Sequence, residues 1–119
     1  MLHHVSLEVP GADATRSAAF WTALGFVRVH APPEIADRVT WFEREGTQIH
    51  LIRTATAIVP PVGHTAVVAP DLDDAVDRLR AAGFEVEPKR RLWGAARALA
   101  IAPGGHRVEL MSAAPPAGR

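Results

Sequence analysis

Apolar and polar positions alternate from the start of the chain: Val5, Leu7 and Val9 interleave with His4, Ser6 and Glu8, up to Pro10. That is the period of a strand with one buried face. The pattern returns as Thr65, Val67 and Ala69 against His64, Ala66 and Val68, up to Pro70. Helical spacing follows each run. In the second, Leu72, Ala75, Val76, Leu79 and Ala82 share one face. Asp71 is placed to cap that helix, with Asp73 and Asp74 at its positive end, Arg78 and Arg80 near its negative end and Gly83 as its left-handed stop. In the first, Asp13 is the candidate cap, Phe20, Trp21 and Leu24 are the larger apolar residues, and Gly25 is the stop.

Short alternating segments come after each helix. Val39–Glu43 and Thr47–Arg53 flank Glu45-Gly46, and Arg97–Ala102 and His106–Met111 flank Pro103-Gly104-Gly105, both hairpin signals. Weaker strands, Val27–His30 and Glu85–Glu87, complete each set. The order β-α-β-β-β is therefore read twice. His4 and Pro10 answer His64 and Pro70 at an offset of 60, and Gly46–Leu51 answers Gly105–Leu110 at 59. Landmarks that keep order and spacing in this way mark an internal repeat. The predicted fold is α+β: module 1–53, linker 54–62, module 63–112 and a frayed tail 113–119, together one domain.

Composition narrows the classes. With 48% apolar and 22% charged residues the chain is an ordinary globular one. Its formal net charge is zero, and the only basic cluster, Lys89-Arg90-Arg91, reads as a solvated loop, so no nucleic-acid partner is expected. No run approaches the ~20 apolar residues that span a bilayer, and Met1-Leu2-His3-His4 lacks the regions of a signal peptide. A cytoplasmic protein without a membrane partner is expected. Cysteine is absent, so any metal must be held by nitrogen and oxygen.

Strand alternation then gives the candidate chemistry a geometry. Ile49 and Leu51 match the helix-facing side of the first sheet and Val108 and Leu110 that of the second. His4, His50, His64 and Glu109 therefore all fall on the faces turned away from the helices, at two equivalent positions of the repeat. Two curved sheets related by a pseudo-twofold axis would bring those faces together as a cleft, where imidazole and carboxylate suit one zinc, nickel, iron, cobalt or manganese ion. A lone strand-end histidine is ordinarily a surface residue; the doubled position is what argues otherwise. His3, assigned to the helix side, His30 and His106 read as structural or exposed, and Trp41 as core.

The order of His3-His4-Val5, Phe20-Trp21, Leu24-Gly25-Phe26 and Pro103-Gly104-Gly105-His106-Arg107-Val108-Glu109-Leu110 resembles the vicinal oxygen chelate superfamily over nearly the whole chain. That superfamily includes glyoxalase I, methylmalonyl-CoA epimerase, extradiol dioxygenases and the fosfomycin- and bleomycin-resistance proteins. The resemblance implies paired βαβββ modules forming an incomplete barrel, with metal ligands at His4, His50, His64 and Glu109. It also implies a small substrate chelated through two neighbouring oxygens and an enolate-like anion stabilised by the metal, in chemistry of lyase, isomerase or dioxygenase type. His50 stands where glyoxalase I has Glu and the epimerase has Gln, which argues against simple glyoxalase I chemistry. The chain has no tyrosine, unlike the usual dioxygenase and fosfomycin-resistance clefts.

Glu109 and Glu8 are the candidate catalytic carboxylates, Glu8 as an auxiliary base or, alternatively, a surface strand-end group. Arg97 and Trp93 lie in a stretch that often covers such clefts. Arg97 is the candidate for a substrate carboxylate, its plain alternative being a rim salt bridge. The rival function is metal-free sequestration of a small molecule, as in bleomycin-resistance proteins. Exposed sheet edges and an apolar face predict a homodimer.

Overall fold

The computed structural model describes residues 1–11 and 14–118, so the expected cap Asp13 lies outside the described residues. The chain forms β1 (His4–Val9), α1 (Ala14–Ala23), β2 (Val27–Val29), β3 (Val39–Arg44), β4 (Thr47–Arg53), β5 (Thr65–Val68), α2 (Leu72–Ala81), β6 (Val86–Leu92), β7 (Ala95–Ile101) and β8 (Arg107–Met111). The two sheets have orders β1-β4-β3-β2 and β5-β8-β7-β6. Each therefore repeats the other, with its first strand parallel to its last. Among the described residues no helix is long and apolar enough to cross a membrane.

Local chemistry explains the ends of the elements. Asp71 caps α2 by accepting a hydrogen bond from the Asp74 backbone N–H at 3.1 Å. Gly25 and Gly83 follow the two helices at φ 86° and 88°, a region that a Cβ disfavours. Phe20, Trp21, Ile49, Leu51, Leu79, Val108 and Leu110 are almost fully buried and belong to one core drawn from both modules.

The modules meet chiefly on the helix side. Phe20 packs edge-to-face on Phe84 with ring centroids 5.2 Å apart, and the Arg16 guanidinium lies 4.6 Å over the Phe84 ring. Arg78 Nε donates to Ala23 O at 3.0 Å and Arg44 Nη1 to Val68 O at 3.1 Å. Buried His106 donates from Nε2 to Glu8 O at 2.6 Å, a structural role as expected. The opposite faces stay open: His4, Ser6, His64, Ala66 and Val68 are exposed.

One segment departs from expectation. Lys89-Arg90-Arg91, read as a loop, lies inside β6, which continues to Leu92 and turns into β7 at Trp93-Gly94. β6 is an edge strand, where Pro88 need donate no ladder hydrogen bond and charged side chains extend into solvent. Three charges in sequence therefore mark an edge here, and a register shift between Lys89 and Leu92 hides the alternation.

Candidate metal centre

Register places the candidate residues. Parallel pairing sets His4 against Gln48, Ser6 against His50 and Glu8 against Ile52, and antiparallel pairing sets Trp41 against His50 and Glu43 against Gln48. Opposed residues share a face, so His4, Glu8, Gln48, His50, Trp41 and Glu43 all lie on the side away from α1. On the second sheet Glu109 is opposed by Ala66 and Leu99, and Arg97 by Met111.

On the first sheet His50 is sandwiched. Trp41 stacks on one face at 4.0 Å with 2° between planes, and His4 on the other at 3.9 Å with 14°. Trp41, read as core, is instead part of this outward face; its neighbour Phe42 occupies the core. Glu43, Gln48 and His50 form a relay whose proton positions are determined. The Glu43 carboxylate accepts from Gln48 Nε2 at 2.9 Å, so Gln48 Oε1 must face His50 and accept from its Nε2–H at 2.7 Å. The Nδ1 lone pair is thereby left for another partner, the device that orients metal-binding histidines.

Burial pushes the His50 pKa down to about 4, with His4 and His3 adding smaller electrostatic contributions. The unfolded chain takes up this proton near 6.5, the folded protein only near 4. Stability is therefore expected to fall as pH drops through this window and to level off below it. Urea unfolding at pH 7 and pH 4.5 should show a larger loss for the unaltered protein than for His50→Gln. Equal losses would contradict the assignment.

His3 corrects a second expectation. Its Nδ1 lies 2.9 Å from His4 Nδ1, and its ring is 6.2 Å from that of His50. Alternation holds only inside a strand, and β1 starts at His4, so the preceding residue was free to turn to the other face.

On the second sheet Glu109 is held at both oxygens: Oε1 meets His64 Nε2 at 3.1 Å, and Oε2 accepts from Arg97 Nε at 2.9 Å. Arg97 also donates from Nη1 to Arg90 O at 3.1 Å and lies 5.6 Å from the Trp93 ring centroid. Its salt-bridge role is thus realised. Trp93 sits in the β6–β7 turn and donates from Nε1 to Ala113 O at 2.9 Å. His64 Nδ1–H donates to Val62 O at 3.0 Å, so Nε2 faces the carboxylate through a proton or, in its place, a cation. His64, Arg97, Leu99, Lys89 and Glu109 line a pocket of about 160 Å³. Glu8 is half-buried on the outward face of β1, and its carboxylate makes no hydrogen bond or ion pair among the described residues. His30 is exposed.

The four expected ligands thus form two pairs, His4 with His50 and His64 with Glu109. Among the described residues the one group of three or more metal-ligating side chains with ligand atoms within 4.8 Å of one another is His3, His4 and His50.

No curated protein matches the sequence significantly. A protein assigned to the glyoxalase family from Bacillus anthracis superposes with TM-score 0.82 at 23% identity, covering 93% of each chain. Oxidase ChaP-H2 superposes with TM-score 0.77 at 20% identity, covering 100% of this chain and 98% of its own. TnmS3, an antibiotic binding protein from Streptomyces sp. CB03234, gives 0.72 at 20% identity, covering 93% of each. These likenesses establish the glyoxalase-like fold. The family model for the Glyoxalase/Bleomycin resistance protein/Dioxygenase superfamily matches residues 1–110, and the chain belongs to that superfamily.

Proposed function

We propose that this protein is a divalent-metal-dependent enzyme acting on a small substrate through two neighbouring oxygens. In this reading His4 and His50 of one module and His64 and Glu109 of another hold a single zinc, nickel, iron, cobalt or manganese ion. The observation that carries the reading is the doubled pair, each made by the first and last strand of its module. The donor chemistry fits a cation. His50 keeps a lone pair through its relay, and His64 Nε2 faces a carboxylate oxygen where a cation can replace the shared proton.

The bound ion would supply electrophilic stabilisation of a developing oxyanion. The chain's own residues do the rest. Glu8, on the face of His4, is the candidate to move a substrate proton. Arg97, once a substrate carboxylate competes with Glu109 for its guanidinium, would orient the substrate beneath Trp93. The face carrying each pair is open and bears exposed Val27 and Ile52 on one sheet and Val68 on the other. A second copy laid across it would cover this surface and bring one chain's histidine pair towards the partner's carboxylate. The proposed state is accordingly a homodimer.

Sequestration of a small molecule without metal is the competing reading, favoured by the likeness to an antibiotic binding protein. Metal analysis of protein purified without a histidine tag separates the two. Stoichiometric metal, removed by chelator and restored by added zinc, nickel, iron, cobalt or manganese, is expected. Trace metal that none of these restores would sink the enzyme reading.

A further inference from the structure

The histidine group on the first sheet includes a residue outside the proposed four-ligand centre. His3, His4 and His50 each present a ligand atom within 4.8 Å of the other two, without help from the second module. We propose that these three side chains form an all-imidazole site of their own for a borderline divalent cation, Cu(II) above all, which one module binds by itself.

Imidazole nitrogens sharing an ion at about 2.0–2.1 Å lie about 3–4 Å apart, each lone pair in its ring plane, so His4 must turn out of its stack on His50 for both rings to face one ion. The group is built for that. His50 is fixed by the Trp41 stack and by the Gln48–Glu43 relay, which leaves its Nδ1 lone pair available. His3 and His4 are exposed and able to turn. Their Nδ1 atoms lie 2.9 Å apart, a contact that needs one shared proton and that a cation can replace while engaging both rings. Glu43 lies behind Gln48 and contributes negative charge without touching the site. A set of nitrogens with no directly bonded carboxylate favours Cu(II), then Ni(II) and Zn(II), over the oxygen-seeking Mg(II), Ca(II) and Mn(II). This site shares His4 and His50 with the centre proposed above and needs neither His64 nor Glu109.

The test is Cu(II) titration of the intact, untagged protein, followed by calorimetry and by nitrogen hyperfine structure in electron paramagnetic resonance. One equivalent is expected to bind. His3→Gln, His4→Gln and His50→Gln should each weaken it by roughly tenfold or more, and Gln48→Leu by about tenfold through loss of the relay. The His64→Gln/Glu109→Gln double variant should bind as the unaltered protein does. Circular dichroism confirms folding of each variant. Undiminished binding in His3→Gln, with loss in the double variant, would overturn this site while supporting the four-ligand centre. Undiminished binding in His50→Gln would place the ion elsewhere on the protein and also overturn it. Absence of binding by the unaltered protein to Cu(II), Ni(II) or Zn(II) would overturn this site, and absence of binding to iron, cobalt and manganese as well would overturn the four-ligand centre too.

Discussion

Phe20→Ala is expected to destabilise the protein by about 3–5 kcal/mol, the range for removing a fully buried aromatic side chain. Phe20 has no exposed surface and lies in edge-to-face contact with Trp21 at 5.1 Å and Phe84 at 5.2 Å. Phe84 belongs to the second module and Trp21 to the first, so the cavity opens where the two halves share their core. Typical domains hold only about 5–15 kcal/mol in total, so the loss takes a large share. It should also be felt on both sides. Urea unfolding followed by Trp93 fluorescence, with Trp21 and Trp41 replaced by phenylalanine, reports the second module; the converse variant reports the first. Both midpoints should drop together against their own Phe20-containing parents. Ile58→Ala, at an exposed linker position, should change either by no more than about 0.5 kcal/mol. A drop confined to the first-module probe would show that the modules unfold separately.

Glu109→Ala carries the second large effect, because this carboxylate answers to two demands at once. Both its side chain and that of Arg97 are mostly shielded, at 12% and 17% exposure, and their bond is charge-assisted. Removing the carboxylate leaves the guanidinium, among the described residues, with the Arg90 carbonyl and the Trp93 face, at a cost of about 1.5–3 kcal/mol. The ion proposed to sit on His64 and Glu109 should meanwhile be lost by at least the ~100-fold that disturbing an outer-shell partner can reach. The two losses are separable. Arg97→Met/Glu109→Leu replaces the pair by apolar groups of similar size and should recover most of the stability, but not the binding of manganese, which an all-imidazole site disfavours. Recovery of manganese binding in that double variant would remove Glu109 from the ligand set.

Much of the fold was legible because one period governed long stretches. Val5-Leu7-Val9 and Val67-Ala69 announced their strands, and Leu72, Ala75 and Leu79 the buried face of α2. What escaped did so where a local rule runs out. β6 could not be seen beyond Glu87 because an edge strand needs no apolar side and Pro88 needs no partner there. His3 precedes the first residue to which alternation applies. The repeat marked the positions of the four candidate residues, but not their surroundings. Gln48 and Trp41 carry no motif, and their relation to His50 arises only when β3 is registered on β4. Glu43 could have been suspected, since Val39, Trp41 and Glu43 alternate with Phe42 and so share a face. The Arg97–Glu109 bond joins residues 12 apart across a hairpin, a distance that no helical or strand period encodes.

The parallel pairing of each module's first and last strands also has a consequence for synthesis. β1 leaves the ribosome ahead of β4 and cannot complete its sheet until that strand has followed, some forty residues later. Among the described residues no hydrogen-bonded strand pair joins the two sheets. The first module is therefore able to close while the second is still being translated, with His4 reaching His50 before His64 has left the ribosome. Nascent folding should proceed in two closures, each internal to its own half, and helix-to-helix docking through Phe20 and Phe84 would come last.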